Sequence, residues 1–215
     1  DPATLRAAAV TILRSAQKDG RARIADGFAA APFDARPMTR AYTYLTDNLV
    51  KSALYVAATL LHPNPNPTEG ERLSVIAVGG YGRGEMAPFS DVDLLLLIPY
   101  KATAWSESVI ESIQEEGVKL KVGHATRTIR DCVRLGSEDF TIQTALLEHR
   151  FVIGDKALAT NLDKALRKDL FSGSGRDFIE AKLEERDRRH MKQGERYVVE
   201  PNVKEGKGGL RDLQT

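Results

Sequence analysis

Residues 78–97 read VGGYGRGEMAPFSDVDLLLL, and the reading of this stretch decides the fold. Gly79, Gly80, Gly82 and Gly84 crowd together directly after the short apolar run SVIAV at 74–78. Asp91 and Asp93 then open a run of leucines, Leu94 to Leu97, which Ile98 and Pro99 close. The pattern predicts a strand, a glycine turn and a second strand. On a strand, side chains at i and i+2 share a face, with Cα atoms about 6.5–7 Å apart. Asp91 and Asp93 therefore form a same-face pair. Two unpaired carboxylates at the edge of an apolar core repel each other and resist desolvation. A divalent cation balances them, and Mg²⁺ is the natural choice, because it takes one or two carboxylates together with substrate phosphates.

The glycines supply the complementary half. Without a Cβ, the backbone can approach a ligand closely, and the N–H groups of such a turn attract anions. Arg83 adds a guanidinium and Ser90 a hydroxyl. One segment thus combines a candidate phosphate cradle (Gly79, Gly80, Arg83, Ser90) with a candidate metal pair (Asp91, Asp93). The spacing fits neither G-x-x-x-x-G-K-[ST] nor G-x-G-x-x-G, which excludes the P-loop and Rossmann readings. An isolated Asp-x-Asp also occurs in calcium loops and glycosyltransferase metal sites. It is the order strand, Gly-Gly, Ser, Asp-x-Asp, strand that points to nucleotide chemistry.

Outward from this unit the chain reads as helical. Residues 2–18 and 39–61 have helical patterning, the second with Thr39 as cap and Leu45, Leu49, Ala53, Val56 and Leu60 along one face. HPNPNPTEG (62–70) must break that helix, since its prolines cannot continue it. A helix over 103–116 precedes a third strand in VKLKVGHAT (118–126). Further helices are expected at about 128–136, 138–149, 154–170 and 176–193, the last a densely charged, solvated one. The reading is α+β: a small mixed sheet flanked by N-terminal and C-terminal helices. It divides into a helical region at 1–62, a core at 70–150 and a helical region at 151–215.

Composition narrows the function classes. The chain has 215 residues, 42% hydrophobic and 28% charged, which is enough for a sizeable core. A formal net charge of +1 gives no strong case for nucleic acid. The single cysteine, Cys132, excludes an internal disulfide and multi-cysteine zinc sites, and favours a reducing compartment. The run Leu94–Ile98 is too short to span a membrane. A cytoplasmic protein is expected. The missing initiator Met and the ending on a glycine loop are expected of a piece of a larger protein.

Gly79-Gly80 followed by Ser90-Asp91-Val92-Asp93 resembles the signature of the DNA polymerase β-like nucleotidyltransferases. Together with KVGHATRT, TIQTALLEHRFVIGD and EPNVKEGKGGLRDLQT, it resembles the bacterial PII uridylyltransferase family over about residues 75–215. The resemblance implies transfer of UMP from UTP to a tyrosine of the PII signalling protein, with release of pyrophosphate. It implies that Gly79 and Gly80 cradle the triphosphate and that Asp91 and Asp93 hold Mg²⁺. It also implies that the uridylyl-removing hydrolase lies outside this chain, where no His-Asp dipeptide occurs.

Several residues stay open at this level. The superfamily places a third carboxylate on a later strand, but VKLKVGH offers Lys119 and Lys121 there, which either contact phosphate or face solvent. Glu148 is either a substitute acid or the partner of Arg150 or another neighbour. His124 either contacts the nucleotide or is a structural histidine; Arg130, His149 and His190 carry no stronger signal. Lys204 and Lys207, in EPNVKEGKGG, either close over the phosphates or sit in a plain loop. Two alternatives to uridylyl transfer remain. One is a related enzyme using ATP, of the adenylyltransferase type. The other is a nucleotide-binding regulatory module without turnover.

Overall fold

A computed structural model describes residues 1–116, 122–173, 175–192 and 202–213. At its centre is a sheet of four strands in the order β3-β2-β1-β4. They are β1 (Ser74–Ala77), β2 (Val92–Leu97), β3 (Val122–Arg127) and β4 (Arg150–Gly154). β1 pairs antiparallel with both β2 and β4, and β2 pairs parallel with β3. The sheet is therefore mixed, as expected. The parallel pair is joined through helix α4 (Ala104–Glu116), which supplies the crossover a parallel connection needs.

The four leucines of β2 are explained by burial on both faces. Val92, Leu94 and Leu96 point into a core built with Tyr42, Val50 and Leu54 of helix α2 (Ala35–Tyr55) and Val109, Ile110 and Ile113 of α4. Leu95 and Leu97 point into a second core, with Cys132 of α5 (Ile129–Glu138), Leu146 of α6 (Phe140–Leu147), and Leu158 and Leu162 of α7 (Lys156–Ala165). A strand covered on both sides reads as a continuous apolar run rather than an alternation. Cys132 is a buried core residue.

The helical expectations need four corrections. Helix α1 runs from Pro2 to Ala30, well past residue 18, with the Asp1 carboxylate accepting from the Ala3 N–H at its start. Its polar composition hides the continuation, since none of its residues is buried. Helix α2 begins at Ala35, so Thr39 is not its cap; the Thr39 hydroxyl instead donates to the Arg36 carbonyl inside the helix. The buried face is also rotated from the expected stripe: Tyr42, Thr46, Leu49 and Leu54 are buried, whereas Leu60 is exposed in the π-helical turn Val56–Leu61 that ends the segment. Finally, β4 was not anticipated. RFVIG falls where the expected helices at 138–149 and 154–170 adjoin, but it pairs with β1 and carries the sheet to Gly154.

Toward the C-terminal end lie α8 (Gly175–Lys192), with exposed ion pairs such as Arg176–Glu180, and the short α9 (Leu210–Leu213). Lys119 and Lys121, with the expected start of the third strand, lie outside the described residues.

Leu97 is fully buried where β2 meets the second core. Leu97→Ala is expected to lower stability by about 3 kcal/mol through lost burial and a residual cavity. Urea unfolding measures it.

Candidate active site

The site is assembled where β1 and β2 lie side by side. Val78 follows β1 and donates its N–H to the Asp93 carbonyl at 3.1 Å, which fixes the glycine turn against the aspartate strand. The turn itself is a single helical turn, α3 (Gly79–Gly82). Gly79 has a φ of +56°, a conformation that a residue with a Cβ adopts with strain. Gly82 is required for a different reason: a Cβ there would collide with the Glu148 carbonyl at 1.7 Å. The first hydrogen bond within the turn is from Gly82 N–H to the Val78 carbonyl. The N–H groups of Gly79, Gly80 and Tyr81 precede it, so helical geometry gives them no partner inside the turn.

Asp93 is half-buried on β2, and Asp91 is exposed just before the strand. The side chain of Asp93 lies against the glycine turn: its Oδ2 is 3.5 Å from where a Cβ of Gly79 would stand. Burial, and then the negative charge of Asp91, hold the Asp93 carboxyl above the ordinary carboxylate range. Among the described residues no basic side chain offsets it. A group in this state is an electrostatic deficit that a metal ion would remove. Among the described residues no cluster of three His, Cys, Asp or Glu forms a ready-made cage. Such a carboxylate pair suits Mg²⁺, whose remaining positions are commonly filled by water and phosphate oxygens.

The other candidates separate into near and far. Arg83 lies beside the turn, its Nη2 3.5 Å from where a Cβ of Gly80 would stand, and its Nη1 donates to Glu148 Oε2. Glu148 is thus paired with Arg83, not with Arg150. Ser90 braces the loop between turn and strand: its hydroxyl accepts from the Ala87 N–H at 3.0 Å, and its own N–H donates to the Ala87 carbonyl. His124 is an exposed residue of β3 opposite Leu94. His149 bonds the Leu146 carbonyl.

Lys204 and Lys207 are exposed in the 202–209 loop, whose described anchors run to α8. There Asp212 pairs with Arg189 and His190 and accepts from the Gly208 N–H at 2.8 Å, which with those partners lowers its carboxyl to about 2.

The support beneath the turn is not legible in any local motif. Tyr81 is 1% exposed, and its hydroxyl donates to Asp47 Oδ1 at 2.6 Å. Arg150 grips the same carboxylate with two bonds, at 2.8 and 3.0 Å, and stacks over the Tyr81 ring at 5.3 Å. The three come from α2, α3 and β4. The available signal was the β-branched run after Arg150, closed by Gly154, which marks a strand and hence a neighbour of β1.

Comparison with known proteins now bears on this geometry. The model described as "Glutamate-ammonia ligase adenylyltransferase" matches residues 3–131, and the one described as "GlnD PII-uridylyltransferase" matches residues 177–215. Across the whole chain, the bifunctional uridylyltransferase/uridylyl-removing enzyme of Ruegeria pomeroyi is 66% identical and that of Cereibacter sphaeroides 58%. Over its full length the chain is similar to these bifunctional uridylyltransferase/uridylyl-removing enzymes. The corresponding enzyme of Azospirillum brasilense is 47% identical over 98% of the chain. The chain spans about a quarter of the length of these relatives, 24% of the first and 23% of the other two. The adenylyltransferase match covers more than half of the chain and includes the entire glycine–aspartate segment. That part of the sequence is therefore common ground between the two kinds of nucleotidyltransferase. Among the described residues, no helix is long and apolar enough to cross a membrane.

The raised carboxyl of Asp93 makes a signed prediction. A carboxyl whose folded pKa lies above its unfolded one binds its proton more tightly when folded. Stability then falls as pH rises from the unfolded value, about 3.9, through the folded value. Asp93→Asn removes this penalty. Without divalent metal, the variant is expected to melt higher than the parent at pH 7, and the two curves are expected to converge below the unfolded value. Thermal melts across pH, with chelator present, test this. Asp47→Ala, which strands Arg150 and Tyr81, is expected to cost about 3 kcal/mol, read by urea unfolding.

Proposed function

We propose that this chain carries the Mg²⁺-dependent transfer of UMP from UTP to a tyrosine hydroxyl of the PII signalling protein, with release of pyrophosphate, in the cytoplasm. The observation that carries the reading is the half-buried Asp93 carboxylate, beside Asp91 and against the positive-φ glycine turn. The relatives' names support the uridylyl group, and the description of the matched family model supports PII as acceptor.

In this reading the protein mainly positions. The N–H groups of Gly79 and Gly80 bind the triphosphate, and Arg83 neutralises a phosphate from the side of the turn. Asp91 and Asp93 hold Mg²⁺, which when bound neutralises phosphate charge and helps an attacking hydroxyl to ionise. The tyrosine oxygen forms a bond to the α-phosphorus and loses its proton; the bond between the α-phosphorus and the α–β bridging oxygen breaks, and pyrophosphate leaves. Ser90 holds the loop that delivers Asp91. Lys204 and Lys207 are assigned a later contact with phosphate or acceptor.

The adenylyltransferase match over residues 3–131 favours a second reading, in which the same site uses ATP. One assay separates them. The full-length protein is incubated with PII, Mg²⁺ and each labelled nucleoside triphosphate, and PII is weighed by mass spectrometry. A UMP adduct is expected, reduced more than about a hundredfold in rate by Asp91→Asn with Asp93→Asn. An AMP adduct supports the second reading; UTP binding without any adduct supports a regulatory module.

A further inference from the structure

β3 contains a glycine that the fold does not require. Gly123 sits in an edge strand, is exposed, and has an ordinary extended backbone rather than a positive φ. Glycine inside a strand weakens it, having no side chain to pack and more freedom to lose. Such a residue marks a place where something comes close. What comes close here is Asp93. The parallel register puts Gly123 directly opposite Asp93, and the Asp93 Oδ1 lies 2.7 Å from where a Cβ of Gly123 would stand. The other oxygen, Oδ2, faces Gly79 on the far side of β2. The carboxylate is thus seated in a slot between two glycines, one on each neighbouring segment.

We infer that Gly123 is a positioning residue for the metal-binding carboxylate. Its missing Cβ lets Asp93 lie flat across β3, so that the orientation of both oxygens is set by the slot. The inference rests on the proposal that Asp91 and Asp93 hold a divalent cation, and it adds a residue that touches neither metal nor nucleotide. An alanine at 123 leaves the strand conformation allowed and, among the described residues, meets only the end of the Asp93 side chain. The carboxylate turns away and the backbone stays.

A role in the fold and a role in the slot have opposite signatures. Gly→Ala at a compatible strand position removes freedom from the unfolded chain and ordinarily raises stability. The test is Mn²⁺ titration by calorimetry, beside chelator-treated thermal melts, on the parent chain, Gly123→Ala and Asp93→Asn. The expected result is that Gly123→Ala melts at or above the parent temperature without metal, yet binds Mn²⁺ about tenfold more weakly, the scale of a lost supporting contact. Asp93→Asn is expected to lose binding more completely. If Asp93→Asn weakens binding while Gly123→Ala matches the parent, the slot is overturned and the carboxylate site stands. If Gly123→Ala melts markedly lower, the glycine serves the fold and the slot is likewise overturned. If Asp93→Asn binds like the parent, the carboxylate site itself fails and the slot with it.

Discussion

A single backbone bond, from the Val78 N–H to the Asp93 carbonyl, joins the two halves of the site. It continues the antiparallel ladder of β1 and β2 by one step, where Ala77 has just paired with Leu94. Everything functional hangs on this step. The chain must leave β1 at once, because one more paired residue would run the glycine turn past the carboxylates. Gly79 makes the departure possible with its positive φ, and the helical turn that follows leaves its first N–H groups without a partner inside the turn. The leucines of β2 hold the opposite side of the bond still, each face locked into its own apolar core.

The turn is equally held from below. Asp47 accepts from both Tyr81 and Arg150, which draws α2, the turn and β4 to one point. The glycines confer freedom on the backbone, and this network takes it away again at the one aromatic side chain among them. A flexible composition and a rigid position are compatible because the rigidity is supplied by residues distant in sequence. Arg83 and Glu148 repeat the arrangement at the rim, again between the turn and the end of α6.

The parts legible in the sequence are those set by neighbours along the chain. Strand, turn and strand at 74–97 follow from a β-branched run, clustered glycines and a same-face aspartate pair. The mixed sheet and its flanking helices followed from that unit and the helical patterning around it. What escaped was set by contacts across the chain. β4 is short, and half of its character comes from pairing with β1. Asp47 looks like any polar residue of an amphipathic helix until Arg150 arrives beside it. Gly123 reads as a minor blemish in a strand, since the residue it makes room for lies thirty positions earlier. Helix α1 ran on past residue 18 because an exposed helix needs no apolar stripe to continue.

Tyr81 has a consequence for chemistry directed at phenols. The turn proposed to cradle the nucleotide contains a phenol of its own, Tyr81. Its ring is buried, its proton is engaged by Asp47, and burial with that negative neighbour drives its ionisation far above the usual range. A tyrosine so placed is kept from competing as a target. On the proposed function, the site would stay inert toward the tyrosine that helps to build it.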